Sequence, residues 1–222
     1  MTERRVLNIC FHGIGSPART MESGEEKYWI TIDEFHRILD EIVTWPDARI
    51  SFDDGNASDI EVGLPALRER GLKATFFVLA GRLDTAGSLG AQDVIELRQQ
   101  GMKIGTHGMD HIPWRRMASS VRNRELVEAR QRLADVSGMD ISEAALPLGQ
   151  YDRTLLADLK ALGYLRVHTS DRRPASAAAW LQPRFSVTRE DTAVAMRTSV
   201  LATPTLLRRM ESSIKGALKR LR

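Results

Sequence analysis

The sequence predicts an α/β protein built on a parallel sheet. Three observations carry this. Short apolar runs of strand length alternate with amphipathic stretches through most of the 222 residues. One run, ATFFVLA (74–80), is apolar but for Thr75, as strands buried on both faces are. Glycines stand where the amphipathic stretches should stop, at Gly71, Gly101 and Gly163.

The elements follow in order. RVLNICF (5–11) reads as a strand, and residues 12–31 as a long polar loop with Gly13, Gly15, Pro17 and Gly24. Residues 32–44 look helical: Phe35, Ile38, Leu39, Ile42 and Val43 share a face, and Trp45-Pro46 ends the pattern. Residues 48–52 form a strand, 59–70 a helix, 91–100 a helix and 102–107 a short strand. A long charged helix spans 119–137, and a short strand 144–147 follows it. Residues 154–162 are a helix, 164–169 and 184–187 are strands, and a last helix begins near Pro204.

Composition bounds the class. Hydrophobic residues at 42% and charged residues at 27% are those of a soluble globular protein, and the length suits one large domain. No run of eighteen apolar residues is present, which excludes a transmembrane helix of that kind. Val6–Phe11 is too short for a signal-peptide core, and Cys10 is the single cysteine, read as a core residue. These features give a cytoplasmic expectation. Basic charge collects at one end: residues 197–222 carry +6 against +3 for the whole chain, so residues 1–196 carry −3. The pI of about 9.2 is therefore a property of the tail, and a nucleic-acid-binding face is not expected. We divide the chain into a single catalytic domain, 1–203, and a basic amphipathic helix, 204–222. The apolar stripe of that helix (Leu206, Leu207, Met210, Ile214, Leu218, Leu221) would either pack on the domain or rest on anionic lipid at the inner membrane surface.

Two motifs carry the chemistry. SFDDG (51–55) puts two carboxylates after a strand, and HGMDH (107–111) puts two imidazoles four residues apart after another. One carboxylate and two imidazoles make a facial ligand set for a divalent metal and leave positions open for water and substrate. We assign Asp54, His107 and His111 as ligands and Asp53 as the general base beside the metal's water. Zinc is the first choice of metal, with iron, cobalt, nickel and manganese compatible with the same donors. Gly55 lets the chain turn without crowding the site. All of these residues lie at the ends of strands, where α/β folds gather their chemistry.

SFDDG and HGMDH resemble the T-F-D-D-G and H-(S/T)-x-x-H motifs of the polysaccharide deacetylases, the NodB-homology carbohydrate esterases. LRERGLKATFFV and LRQQGMKIGTH, between the two motifs, are similar to that family's wording. The resemblance implies a distorted, incomplete (β/α) barrel and metal-dependent removal of N-acetyl groups from an N-acetylhexosamine-containing glycan or glycolipid precursor. It implies the same roles for Asp53, Asp54, His107 and His111. In ALPLGQYD (145–152) it implies an oxyanion contact from the Leu148 backbone N–H, with Pro147 and Tyr151 at the substrate.

The chain departs from the family at three places. Gly108 replaces a Ser or Thr whose hydroxyl supports the loop, a loss we expect to be tolerated. The arginine that orients the base has no clear counterpart. The C-terminal histidine that acts as general acid is absent; TLLRRM (205–210) has its leucines only. His12, in CFHGIG at the end of the first strand, is our choice for that acid, with His168 and His36 assigned to core or surface positions. Trp114 is the best sugar-stacking aromatic, and EEKYWIT (25–31) could flank the cleft. The alternatives are a catalytically impaired member that binds a glycan or partner, and an amidohydrolase acting on another C–N bond such as a cyclic amide.

Overall fold

A computed structural model describes residues 4–201. The tail helix expected at 204–222 and its membrane contact lie outside the described residues. Among them, no helix is long and apolar enough to cross a membrane.

Eight parallel strands form the frame: β1 (Arg5–Phe11), β2 (Ala48–Asp54), β3 (Ala74–Val78), β4 (Lys103–Thr106), β5 (Glu143–Ala145), β6 (Arg166–Thr169), β7 (Leu181–Pro183) and β8 (Phe185–Ser186). Their spatial order is β7-β6-β5-β4-β3-β2-β1-β8, and Ala175–Ser176 adds an antiparallel pair to the start of β1. The two edges of this sheet are consecutive in sequence. Pro183 pairs with Thr169 of β6, and Phe185 pairs with Ile9 of β1. Arg184 alone separates them, so the sheet curls until its edges nearly meet. This is the incomplete barrel the motifs implied. The short strands, and the lack of a helix between β6, β7 and β8, make it distorted.

Among the described residues seven α-helices cover the barrel: α1 (Ile32–Ile42), α2 (Leu64–Glu69), α3 (Ala91–Gln99), α4 (Ser119–Asn123), α5 (Ala129–Ser137), α6 (Arg153–Ala161) and α7 (Ala193–Leu201). α1 starts where Thr31 Oγ1 accepts from the Glu34 N–H, and it buries Phe35, Ile38, Leu39 and Ile42. Loss of such a cap costs about 1 kcal/mol. Val43, expected on the same face, lies past the last turn and is half exposed. The 59–70 helix opens with a π-helical turn, Asp59–Gly63, before α2, and the 119–137 helix is interrupted by another, Arg124–Glu128, between α4 and α5. α7 was not among the expected elements. Its buried residues are only Met196 and Val200, which gives too weak a stripe to read, and it packs against α1. Gly71, Gly101 and Gly163 all stand just past helices with φ between 63° and 76°.

The apolar residues divide into two clusters. One fills the space between β1–β4 and α1–α3, α5 and α7. The other gathers Trp114, Leu126, Tyr151, Leu155, Leu159 and Tyr164 beneath α6.

Candidate metal centre and catalytic cleft

Parallel register explains how residues far apart in sequence converge. Asp54 of β2 stands opposite Val78 of β3, and the His107 N–H donates to the Val78 carbonyl at 2.9 Å. One residue of β3 thus positions both ligands at the same height. The chain then turns sharply. Asp54 (φ 76°) and His111 (φ 55°) both adopt the left-handed conformation that non-glycine residues rarely take. Gly55 shares it at φ 71°, and a Cβ there would lie 3.0 Å from Val78 Cγ1.

The three expected ligands come together. Asp54 Oδ1 lies 3.5 Å from Nε2 of His107 and 3.5 Å from Nε2 of His111. It is buried and has no hydrogen-bond partner among the described residues. An ionised oxygen left so costs several kcal/mol, about 1–3 at the least, unless a cation meets it. Both imidazoles are held by their other nitrogen. His107 Nδ1 lies 3.0 Å from the Ala145 carbonyl, and His111 Nδ1 lies 2.6 Å from Glu22 Oε2. In each case Nδ1 is positioned to donate, which leaves Nε2 as the nitrogen facing Asp54. Burial pushes the His107 pKa down to about 4 against the pull of Asp53 and Asp54, which keeps it neutral and able to ligate. The ligand atoms of the three residues lie within 4.8 Å of one another. This donor set fits a divalent cation. A second group, Cys10, His12 and Asp53, is as compact. It suits a cation poorly, because Asp53 is committed to an arginine and burial pushes the Cys10 thiol far up, so that it stays protonated.

Asp53 is bound by Arg184 in a bidentate pair, Nη1 to Oδ1 and Nη2 to Oδ2, both at 2.6 Å. Both residues are buried, and Arg184 Nη1 also donates to Ser51 Oγ. Burial raises the Asp53 pKa, but the Arg184 charge and its hydrogen bonds outweigh it, and the carboxyl is held well below the usual range. The sequence showed no clear counterpart for an arginine beside Asp53; the structure supplies one in Arg184. The signal in the sequence was an arginine beginning a strand, PRFSV, where an apolar residue would be ordinary.

The cleft above these groups has a volume of roughly 220 Å³ and is lined by His12, Glu22, Glu25, Lys27, Tyr28, Leu148, Gly149, Ser170 and Ser186 together with the site residues. His12 is in it. Its ring stacks on Tyr28 at 4.6 Å, its Nε2 lies 3.9 Å from Asp53 Oδ2, and its buried Nδ1 has no partner among the described residues. Leu148 also faces it, 55% exposed and at φ 55°. Of the loop expected to flank the cleft at 25–31, Glu25, Lys27 and Tyr28 line it, joined by Glu22, Ser23 and Gly24.

Three expectations are corrected by burial. Trp114 is 1% exposed, and its Nε1 donates to Glu125 Oε2, so neither face is open to a sugar. Tyr151 is 2% exposed, with its hydroxyl on Asp171 Oδ2, and Pro147 is also buried; both shape the Leu148 loop without lining the cleft. At Gly108 the loss of the hydroxyl is more than tolerated, because there is no room for a side chain. A Cβ there would sit 2.4 Å from Glu125 Oε2 at φ 89°. Glu125 does the loop-holding instead, accepting from the N–H groups of Met109 and Asp110. His168 lies beneath the cleft, bonded to Glu143 at 2.9 Å, and His36 lies on α1.

With this geometry, the comparisons with known proteins agree. Residues 45–167 match the polysaccharide deacetylase family, and the chain belongs to it. The Bacillus subtilis protein YxkH is 24% identical over 127 residues, 57% of this chain; the match spans about half (46%) of that relative's length. Among solved structures, the Streptococcus pyogenes deacetylase PplD in complex with acetate is similar with a TM-score of 0.77 at 20% identity, covering 90% of this chain and 99% of that one. IcaB from Ammonifex degensii gives 0.71 at 20% identity, covering 89% and 97%. At these identities the two structures speak for the fold.

Proposed function

We propose that the chain is a metal-dependent hydrolase that removes N-acetyl groups from an N-acetylhexosamine-containing glycan or glycolipid precursor. One observation carries this reading: the unpartnered Asp54 Oδ1 faces two Nε2 atoms beside an ionised Asp53. A divalent cation held by Asp54, His107 and His111, zinc by preference, would supply Lewis acidity for the amide carbonyl and acidify a water.

The protein's own groups do the rest. Asp53 accepts the proton of the attacking water through Oδ2, the oxygen nearest both His12 and His107. Arg184 keeps that carboxylate ionised and fixes its direction. The Leu148 N–H stabilises the oxyanion. As the C–N bond breaks, His12 gives a proton to the leaving amine, the role the family's missing C-terminal histidine would have filled. Acetate and a free amine leave.

The test is acetate release from N-acetylglucosamine oligomers by protein stripped of metal and then reloaded. Release should follow the metal, and Asp53→Asn should abolish it while the metal stays bound. His12→Gln should lower kcat by about 10²–10⁴, the range for general acid–base catalysis, with metal retained. Release that survives both metal removal and Asp53→Asn contradicts the proposal. The reading as an impaired, binding-only member rested partly on a missing arginine, and Arg184 removes that support. Ring opening of cyclic ureides in the same assay separates the remaining amidohydrolase alternative.

A further inference from the structure

The two histidines of the metal centre are oriented by unlike means. His107 stands at the end of β4 and leans on a main-chain carbonyl of the next strand. His111 stands on a loop, in a strained left-handed conformation, and its Nδ1 is held by the side chain of Glu22, 89 residues earlier. A carboxylate in this place fixes the tautomer, sets the ring plane and makes the facing nitrogen a stronger donor.

Glu22 is itself held. Arg82, just past β3, binds its other oxygen, and its backbone N–H donates to Glu25 Oε2 at 2.8 Å. Glu25 is buried, accepts from Trp29 Nε1 and pairs with Arg19. Arg19 reaches on to Asn56 Oδ1 at 2.9 Å, two residues past Asp54. The segment 19–25 is therefore tied at Arg19 to the chain that follows Asp54 and at Glu22 to His111.

We propose that Glu22 is the positioning residue for His111 and makes this loop an outer part of the metal centre, so that metal loading and loop order are coupled. This rests on the metal-site reading above and deepens it. The coupling is reciprocal: whatever the ordered loop adds to metal affinity, the metal returns as loop order.

The experiment is a Zn²⁺ titration by competition with a chromogenic chelator, with Co²⁺ absorption as the signature of ligand geometry and limited proteolysis of residues 16–28 as the readout of the loop. Glu22→Ala should weaken Zn²⁺ binding ten- to a hundredfold, the usual effect of losing such a partner, and alter the Co²⁺ spectrum. Glu22→Gln, which keeps an acceptor oxygen, should fall between it and the wild type. Zn²⁺ should slow cleavage of the loop in the wild type and leave it unchanged in Glu22→Ala. Equal Zn²⁺ affinity in wild type and Glu22→Ala overturns the proposal. A wild type that binds no Zn²⁺, or an Asp54→Asn variant that binds as tightly as wild type, overturns the metal-site reading instead.

Discussion

Arg184 grips Asp53 across 131 residues of sequence, and it does so from the single position where the sheet changes edges. The pair thus joins barrel closure to the orientation of the proposed base. Breaking a buried pair by removing one partner costs about 3–5 kcal/mol. Arg184→Met should lower stability to urea by that order. Arg184→Lys keeps a charge and loses the bidentate fork. Because Arg184 holds the Asp53 pKa down, its weakening lets that pKa rise, and the acid limb of kcat/KM should move to higher pH in Arg184→Lys. An unchanged limb contradicts the assignment of Asp53 as the titrating base.

Gly108 supplies a second prediction. Serine, the residue its relatives would favour by resemblance, should be harmful here, because its Cβ meets the Glu125 carboxylate and φ is 89°. Gly108→Ser should lose Zn²⁺ affinity through displacement of the His111 loop. Pairing it with Glu125→Gln, which removes the charge but not the clash, should not restore binding.

Trp114 separates packing from recognition. As a buried side chain it should cost about 3–5 kcal/mol on truncation to Ala, seen in chemical denaturation. A substrate-stacking role would appear instead as a raised KM in a protein of normal stability.

Acid stability should depend on Glu143. Burial opposes its ionisation, yet the hydrogen bond with His168 and the charges of His168, Lys103 and Arg166 outweigh that and bring its pKa from 4.5 to about 2. A carboxyl depressed in the folded state stabilises above its unfolded pKa and loses that contribution as pH falls through the folded value. Stability should therefore drop between about pH 4.5 and 2, and Glu143→Gln should drop less across that window. An identical pH slope in the variant contradicts this.

Much of the fold and the candidate ligand set could be read from sequence, for a physical reason. A strand end fixes where its next residues point, so Asp53-Asp54 after β2 and His107 after β4 announce a shared mouth. What escaped reading depends on contacts without local pattern. Arg184 has meaning only once β7 and β8 are seen on opposite edges. Glu22 sits in a polar loop, and nothing in MESGEE distinguishes it from its neighbours. Trp114 and Tyr151 carry both an apolar body and a polar tip, and only burial tells a packed ring from an exposed one. α7 buries two residues, too few to mark a face.

The most direct test is metal stoichiometry by anomalous diffraction or elemental analysis of wild type beside Asp54→Asn and His107→Ala. The account predicts one divalent ion per chain in the wild type, placed between Asp54 Oδ1 and the two Nε2 atoms, and its loss in both variants. A full complement of metal in either variant, or an ion bound elsewhere, would contradict it.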